Sequence, residues 1–395
     1  MDSVNRNTWI MFFSILMVGM GFSIIMPVLP FYATSLGASA FQLGMLITVY
    51  ALCQFIFAPV WGNYSDRVGR RPVLIIGMIG FAITFILMGL STRLWMLFAA
   101  RIAGGILSCA ALPTAMAYVG DTTSDEKRGS SMGLVGASMG MGMIVGPAIG
   151  GLLSGYSIAL PFFVAGGLAA LNSLMVIIWI KESLPPEARS KQREVIIIPA
   201  FGDGIKSALA VFFIVIFLVS TAEAIHQGTF ALFVSGQLGF GSREVGWAFV
   251  AAGVGSVLVQ GFLVGRMINR VGEERTAGIG IVTMALAFAL FLKAFNLWSI
   301  IFFMAMYSAG IGLTRPSITT AVSRRTEMQQ GKSMGILQGF DSLGRVFGPA
   351  LGGFLLDIHL NLAYSAAICI LAAAVLVLVL YLRRSREQKI VGSHS

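Results

Sequence analysis

The chain has 395 residues, 57% of them hydrophobic and only 11% charged. A soluble domain carries about 25% charged residues, so this composition excludes an ordinary soluble globular protein and points to an all-α polytopic membrane protein. The 27 Lys and Arg against 17 Asp and Glu give a net charge of +10. A nucleic-acid binder would crowd those charges on one face among aromatic residues, whereas here they form short clusters between apolar runs.

Taken in chain order, apolar stretches long enough to cross a bilayer, about 20 residues each, fall at 9–32, 41–61, 72–90, 95–118, 131–153 and 158–180. Six more follow at 207–234, 245–265, 277–295, 297–321, 333–356 and 361–382. The first is too long in its apolar core for a cleaved signal peptide, and Pro27 and Pro30 are expected to close it. These spans predict twelve transmembrane helices arranged as two six-helix bundles, 1–180 and 207–395, joined by a hydrophilic cytoplasmic linker at 181–206. No other loop is long enough for a soluble catalytic or nucleotide-binding domain, so an enzyme is not expected.

Basic residues orient the spans, because cytoplasmic loops carry an excess of Lys and Arg. With both termini inside, twenty-one of the 27 fall in cytoplasmic segments. Three are external (Arg93, Arg243 and Lys293) and three lie within spans (Arg101, Arg315 and Arg345). Cys53, Cys109 and Cys369 all sit in apolar runs and offer neither a disulfide framework nor a metal-ligand spacing. No metal and no cofactor is expected.

The two halves repeat one another. Gly62-Asn63-Tyr64-Ser65-Asp66-Arg67-Val68-Gly69 recurs as Gly265-Arg266-Met267-Ile268-Asn269-Arg270-Val271-Gly272, and Pro113 as Pro316. Ser131-Met132-Gly133 recurs as Ser333-Met334-Gly335, and Gly146-Pro147-Ala148-Ile149-Gly150-Gly151 as Gly348-Pro349-Ala350-Leu351-Gly352-Gly353. Parallel repeats of this kind place a substrate site near the midplane between halves that rock to expose it alternately.

On these residues the chain resembles the major facilitator superfamily. Gly62-x-x-x-Asp66-Arg67-x-Gly69-Arg70-Arg71 is similar to that family's signature between the second and third spans, and Arg101-x-x-x-Gly105 to its motif in the fourth. Gly142-x-x-x-Gly146-Pro147-x-x-Gly150-Gly151 resembles the antiporter motif of exporters, and Gly21 with Pro27-Val28-Leu29-Pro30 a signature of twelve-helix drug:proton antiporters. The nearest branch resembles the bacterial multidrug, quinolone and tetracycline exporters. The resemblance implies that the 62–72 loop latches the halves on the cytoplasmic side. Simple topological charge would account for the arginines of that loop but not for its glycine spacing. The second copy carries Asn269 in place of the acid and Glu273 in place of an arginine, and is expected to be the weaker latch.

Charges inside spans cost about 2.5–3.5 kcal/mol each at a helix centre, and they carry the most information. Asp341 and Arg345 are four apart and can form an intrahelical ion pair, structural or part of a gate. Arg101 and Arg315 cannot realistically deprotonate, so they are expected to fix the potential of a polar centre, hold an acid or steer substrate. Glu223 remains as the acid to couple protons, with His226, a titratable companion, and Gln227 both one turn further on the same face. A buried structural Glu satisfied by polar neighbours is the alternative. The resemblance supports Glu223, since some quinolone exporters carry a similar acid in the seventh span. The first span has no acid where tetracycline exporters often have one.

Two chemical motifs fail on context. Gly136-Ala137-Ser138-Met139-Gly140 matches a nucleophile elbow but sits inside a span, and Gly331-Lys332-Ser333 lacks the first glycine of a phosphate-binding loop. The expected function is therefore secondary active export of lipophilic, cationic compounds in exchange for protons, from a bacterial cytoplasmic membrane. The expected partners are small-molecule substrates, protons and anionic lipids of the cytoplasmic leaflet, with no nucleic acid, and the chain is expected to act as a monomer. A same-fold exporter of one sugar, metabolite, siderophore or lipid is the first alternative, and a transport-inactive sensor or assembly protein the second.

Overall fold

The computed structural model describes residues 3–123, 128–189, 201–207, 209–326 and 328–392, without the side chains of 3–8, 128–130, 188 and 384–392. Lys127, Lys191, Arg193 and the middle of the expected linker, 190–200, lie outside the described residues. Two compact units result, Met1–Ile197 with Gly239–Val250, and Ile198–Leu238 with Ala251–Ser395.

The first half of the chain forms α1 (Ser3–Ser35), α2 (Ala40–Val68), α3 (Arg70–Gly89), α4 (Leu94–Leu107), α5 (Ala111–Thr122), α6 (Arg128–Leu153) and α7 (Leu160–Trp179). Then follow the short α8 (Phe201–Lys206), α9 (Ala210–Leu238), α10 (Ser242–Leu258), α11 (Val264–Val271), α12 (Glu273–Phe291), α13 (Leu297–Arg325), α14 (Gln330–Ile358) and α15 (Leu362–Gly392). A 3-10 turn at Ser108–Ala110 joins α4 to α5 and a π turn at Val259–Leu263 joins α10 to α11, so each pair makes one rod. No strand occurs among the described residues. Among the described residues, eleven rods are long and apolar enough to cross a membrane. The twelfth long rod, α14, has 29 residues; Asp341, Arg345 and its many glycines lower its hydropathy.

Local chemistry sets the ends. Ser39 and Gln42 exchange hydrogen bonds at 3.2 and 2.9 Å to open α2, and Asn296 and Ser299 do the same for α13; such boxes satisfy amides that the first turn leaves unpaired. α1 runs on to Ser35 through Pro27 and Pro30, which corrects the expected stop. A proline inside a packed span costs an internal bond without ending the helix. The stop comes instead at Gly37, with φ +83° and Ala38 N–H on the Ala33 carbonyl at 3.0 Å, a left-handed cap that glycine adopts without strain.

In each unit the closest packing rests on glycine. Side chains added at Gly142, Gly146 and Gly150 of α6 would strike the α1 backbone; at Gly146 the Met20 carbonyl oxygen would stand 2.6 Å away. On α14, side chains at Gly344 and Gly348 would meet the α9 backbone, the Thr221 carbonyl oxygen standing 2.6 Å from the second. Gly136, on the same glycine-rich run of α6, faces open space instead. Small residues let two helices approach until backbones touch, and dispersion then holds them.

Candidate functional site

α9 is an apolar helix whose turn at 220–227 reads Ser-Thr-Ala-Glu-Ala-Ile-His-Gln. Close packing on α14 buries Glu223 to 7% exposure and Asp341 of α14 to 5%. Arg315 of α13 reaches both acids. Its Nη2 lies 2.5 Å from Glu223 Oε2 and 2.8 Å from Asp341 Oδ1, and its Nε donates to the same Glu223 oxygen at 3.1 Å. The Ser220 hydroxyl donates to Asp341 Oδ1 and accepts from Arg315 Nη2. Gln227 donates to the other Glu223 oxygen at 3.0 Å. Arg345 stands 3.3 Å from Asp341 Oδ2 as an ion pair without hydrogen-bond alignment, and Gln338 donates to that oxygen at 3.4 Å. The intrahelical pair expected at 341 and 345 is thus one edge of a larger network, which spacing within one helix could not reveal.

The pairing of His226 with Glu223 is corrected. Three residues along a helix turn the side chain the other way from Gln227, and His226 is fully buried among the rings of Phe230, Phe288, Phe291 and Tyr307. Its Nδ1 lies 2.9 Å from the Tyr364 hydroxyl, while its Nε2 has no hydrogen-bond partner. Gln227 alone of the two contacts Glu223.

Arg101, grouped with Arg315 from the sequence, belongs to the other unit and has its own setting. It is 5% exposed on α4, with its guanidinium 4.3 Å from the centroid of the Tyr50 ring and its Nε donating to the Leu46 carbonyl at 3.3 Å. It has no carboxylate partner among the described residues. The aromatic face supplies the counter-potential, worth about 2 kcal/mol when desolvated.

The stretch from Gly62 to Arg71 is helix rather than loop, broken only at Gly69, where φ is +111° and a side chain would collide with Glu182. Gly272 breaks the second copy with φ +87°, so the repeated glycine is required by backbone geometry. Arg67 closes the last turn of α2. Arg70 binds Asp66 at 2.5 Å and Asp121 at 3.0 Å, and its Nη1 donates to Ser65 at 2.7 Å. The Glu182 carboxylate accepts the backbone N–H groups of Arg70 and Arg71 at 2.7 and 3.2 Å, capping α3 where a negative charge suits the helix dipole. Arg71 donates to the Ile177 carbonyl at 2.7 Å. Asp121 and Glu182 were not legible as partners, since they lie 51 and about 112 residues away in sequence. In the second copy the sign reverses: Glu273 and Glu274 at the start of α12 pair with Arg324 and Arg325 at the end of α13. Gly151 and Ser154, at the end of α6, meet the segment 239–250 counted in the same unit, Ser154 and Ser242 sharing a hydrogen bond of 2.7 Å.

The family profile described as Major Facilitator Superfamily matches residues 11–222 and again 212–394. The chain belongs to the major facilitator superfamily. Among curated relatives, Multidrug resistance protein 2 of Bacillus subtilis (strain 168) is 29% identical over 87% of this chain and 86% of that protein. The class B tetracycline resistance protein of Escherichia coli is 32% identical over 88% of each. The crystal structure of the nucleoside transporter NupG covers 97% of this chain and 99% of its own, with a TM-score of 0.78 at 14% identity; that likeness establishes the fold. As a multi-pass membrane transporter of this superfamily, the chain puts a buried acid, a shared arginine and a second acid on three helices of one unit. The arginine is thus a cation shared between two acids that reach it from different helices.

Proposed function

We propose that this major facilitator exports lipophilic compounds, cationic ones among them, in exchange for protons. It works in a bacterial cytoplasmic membrane with both termini inside, and six-helix bundles at 1–180 and 207–395 joined by 181–206. The observation that carries the reading is Glu223: a carboxylate 7% exposed in the middle of an apolar helix, held by one arginine and one amide. Acids in such positions are costly and mark ion pathways. The named relatives, a multidrug and a tetracycline resistance protein, support small-molecule export as the work done with that proton.

Glu223 takes up a proton from outside and releases it inside. Arg315 competes with the proton for the carboxylate, and Arg101 fixes a positive potential in the other unit. Gly62, Asp66, Arg67, Gly69, Arg70 and Arg71 gate the cytoplasmic side. Gly142, Gly146, Pro147, Gly150 and Gly151 give α6 the close seat that lets its unit move as a body.

Ethidium uptake into everted membrane vesicles under an imposed inside-acid gradient tests the reading. Wild type is expected to accumulate dye, and Glu223→Gln, at equal expression, to lose gradient-driven uptake altogether. Retained uptake in the variant would remove Glu223 from the proton path, and no uptake by wild type would remove the multidrug claim.

A further inference from the structure

The Arg315 guanidinium is shared, and unequally. One nitrogen, Nη2, contacts Glu223 at 2.5 Å and Asp341 at 2.8 Å. Beyond Arg315, Glu223 has only Gln227 as a hydrogen-bond partner among the described residues, whereas Asp341 has the Ser220 hydroxyl, Arg345 and Gln338. Asp341 is therefore the acid whose charge the surroundings retain, and Glu223 the acid that can give its charge up. The four charges of Glu223, Asp341, Arg315 and Arg345 sum to zero. Adding a proton to Glu223 breaks its ion pair with Arg315 and leaves the group at +1.

An arginine with three quarters of its side chain out of solvent is unfavourable without a counter-charge. On α12, packed against α13, Glu273 and Glu274 are already paired with Arg324 and Arg325. α13 itself brings Tyr307, which lies near enough to feel the Glu223 charge. α14 brings Asp341 and Arg345, and α15 brings Tyr364, already engaged with His226 of α9. α8 brings Asp203 and Lys206, and Asp203 is bound to Lys332. Asp341 is the one anion of this set already touching Arg315.

We infer that Asp341 is a positioning residue for proton coupling: it holds the Arg315 guanidinium while Glu223 is protonated, so that Glu223 can accept a proton without leaving the part-buried arginine without a counter-charge. The inference rests on Glu223 being the proton carrier. Coupling is then an exchange of anchors, with Arg315 on both acids when Glu223 is ionised and on Asp341 alone when it is neutral.

The test is the proton dependence of ethidium uptake into everted vesicles at saturating dye, for wild type, Glu223→Gln, Asp341→Asn and Ser220→Ala. Asp341→Asn is expected to transport, but to need about tenfold more protons for half-maximal rate, the effect of losing one like charge near Glu223 and leaving Arg315 to Glu223 alone. Ser220→Ala keeps all four charges and removes only the hydroxyl between Asp341 and Arg315. It is expected to shift the curve the same way by about threefold, the scale of one hydrogen bond, and carries the test if Asp341→Asn fails to reach the membrane. A loss of rate equal at every pH, or an unshifted curve in whichever variant inserts, overturns the inference. Glu223→Gln that still couples sinks the carrier reading instead, so the two failures are distinct.

Discussion

The two units solve one packing problem alike and one charge problem differently. In both, a glycine-rich helix lies backbone to backbone against the first helix of its half, α6 on α1 and α14 on α9. In both an arginine sits on the fourth rod, buried at 101 and part-buried at 315, yet Arg101 rests on the Tyr50 ring and a carbonyl while Arg315 is clamped by two carboxylates. Backbone contact tolerates one solution, a missing side chain. A buried charge needs only compensation, which an aromatic face or an acid can supply, so duplicated frameworks are free to diverge there. Of the two, only the unit of Arg315 joins its fourth-rod arginine to buried acids.

The arginines give the sharpest way to break this comparison. Arg315→Ala leaves Glu223 and Asp341 buried without their shared cation, and is expected to cost about 3–5 kcal/mol. It should be seen as loss of the folded peak in fluorescence-detected size exclusion after heating. Adding Glu223→Gln and Asp341→Asn should restore much of that stability without restoring transport. Arg101→Ala forfeits a ring contact worth about 0.5–2 kcal/mol, so a loss as large as that of Arg315→Ala would show that the units compensate charge alike.

Next in size is the shared feature. Gly146→Leu and Gly348→Leu each force a side chain onto a carbonyl oxygen 2.6 Å from its first carbon. Each is expected to destabilise by about 1–3 kcal/mol or more, by similar amounts, in the same heating assay. Gly136→Leu, which meets open space, should leave stability unchanged. A tolerant Gly348 beside an intolerant Gly146 would end the equivalence of the two seats.

The smallest effect belongs to Lys332 and Asp203, an ion pair of 2.7 Å with both side chains about half exposed. The hydrogen bond and charge of Lys332 hold the Asp203 carboxyl below its usual range. The sign follows: the pair adds stability above that range and loses it as pH falls through the lowered value. Exposure and salt screen it, so Lys332→Met should leave thermal stability at neutral pH unchanged. A measurable drop would make the short α8 a clamp on α14.

Most of the fold was legible in the sequence. Spans follow from the length of apolar runs, and the repeated glycines pointed to close helix contacts, since a bilayer admits long helices and little else. Legibility stopped where helices turn relative to one another. His226 and Gln227 are neighbours in sequence, but one enters an aromatic cluster and the other binds Glu223. The helical run through Gly62–Val68 and the passage of α1 through its prolines were also missed, because local breaker signals are overridden when neighbouring helices pack around the chain.

The sequence by itself determined the fold class, the duplicated halves, the glycine seats and the handful of charges whose burial needs a reason. Tertiary structure decided which charges meet. Arg315 reaches an acid 92 residues before it and another 26 residues after it, and Glu182 caps a helix more than a hundred residues away. Hydropathy and spacing act along the chain, but compensation of a buried charge is a matter of distance in space, and only the packed helices set that distance.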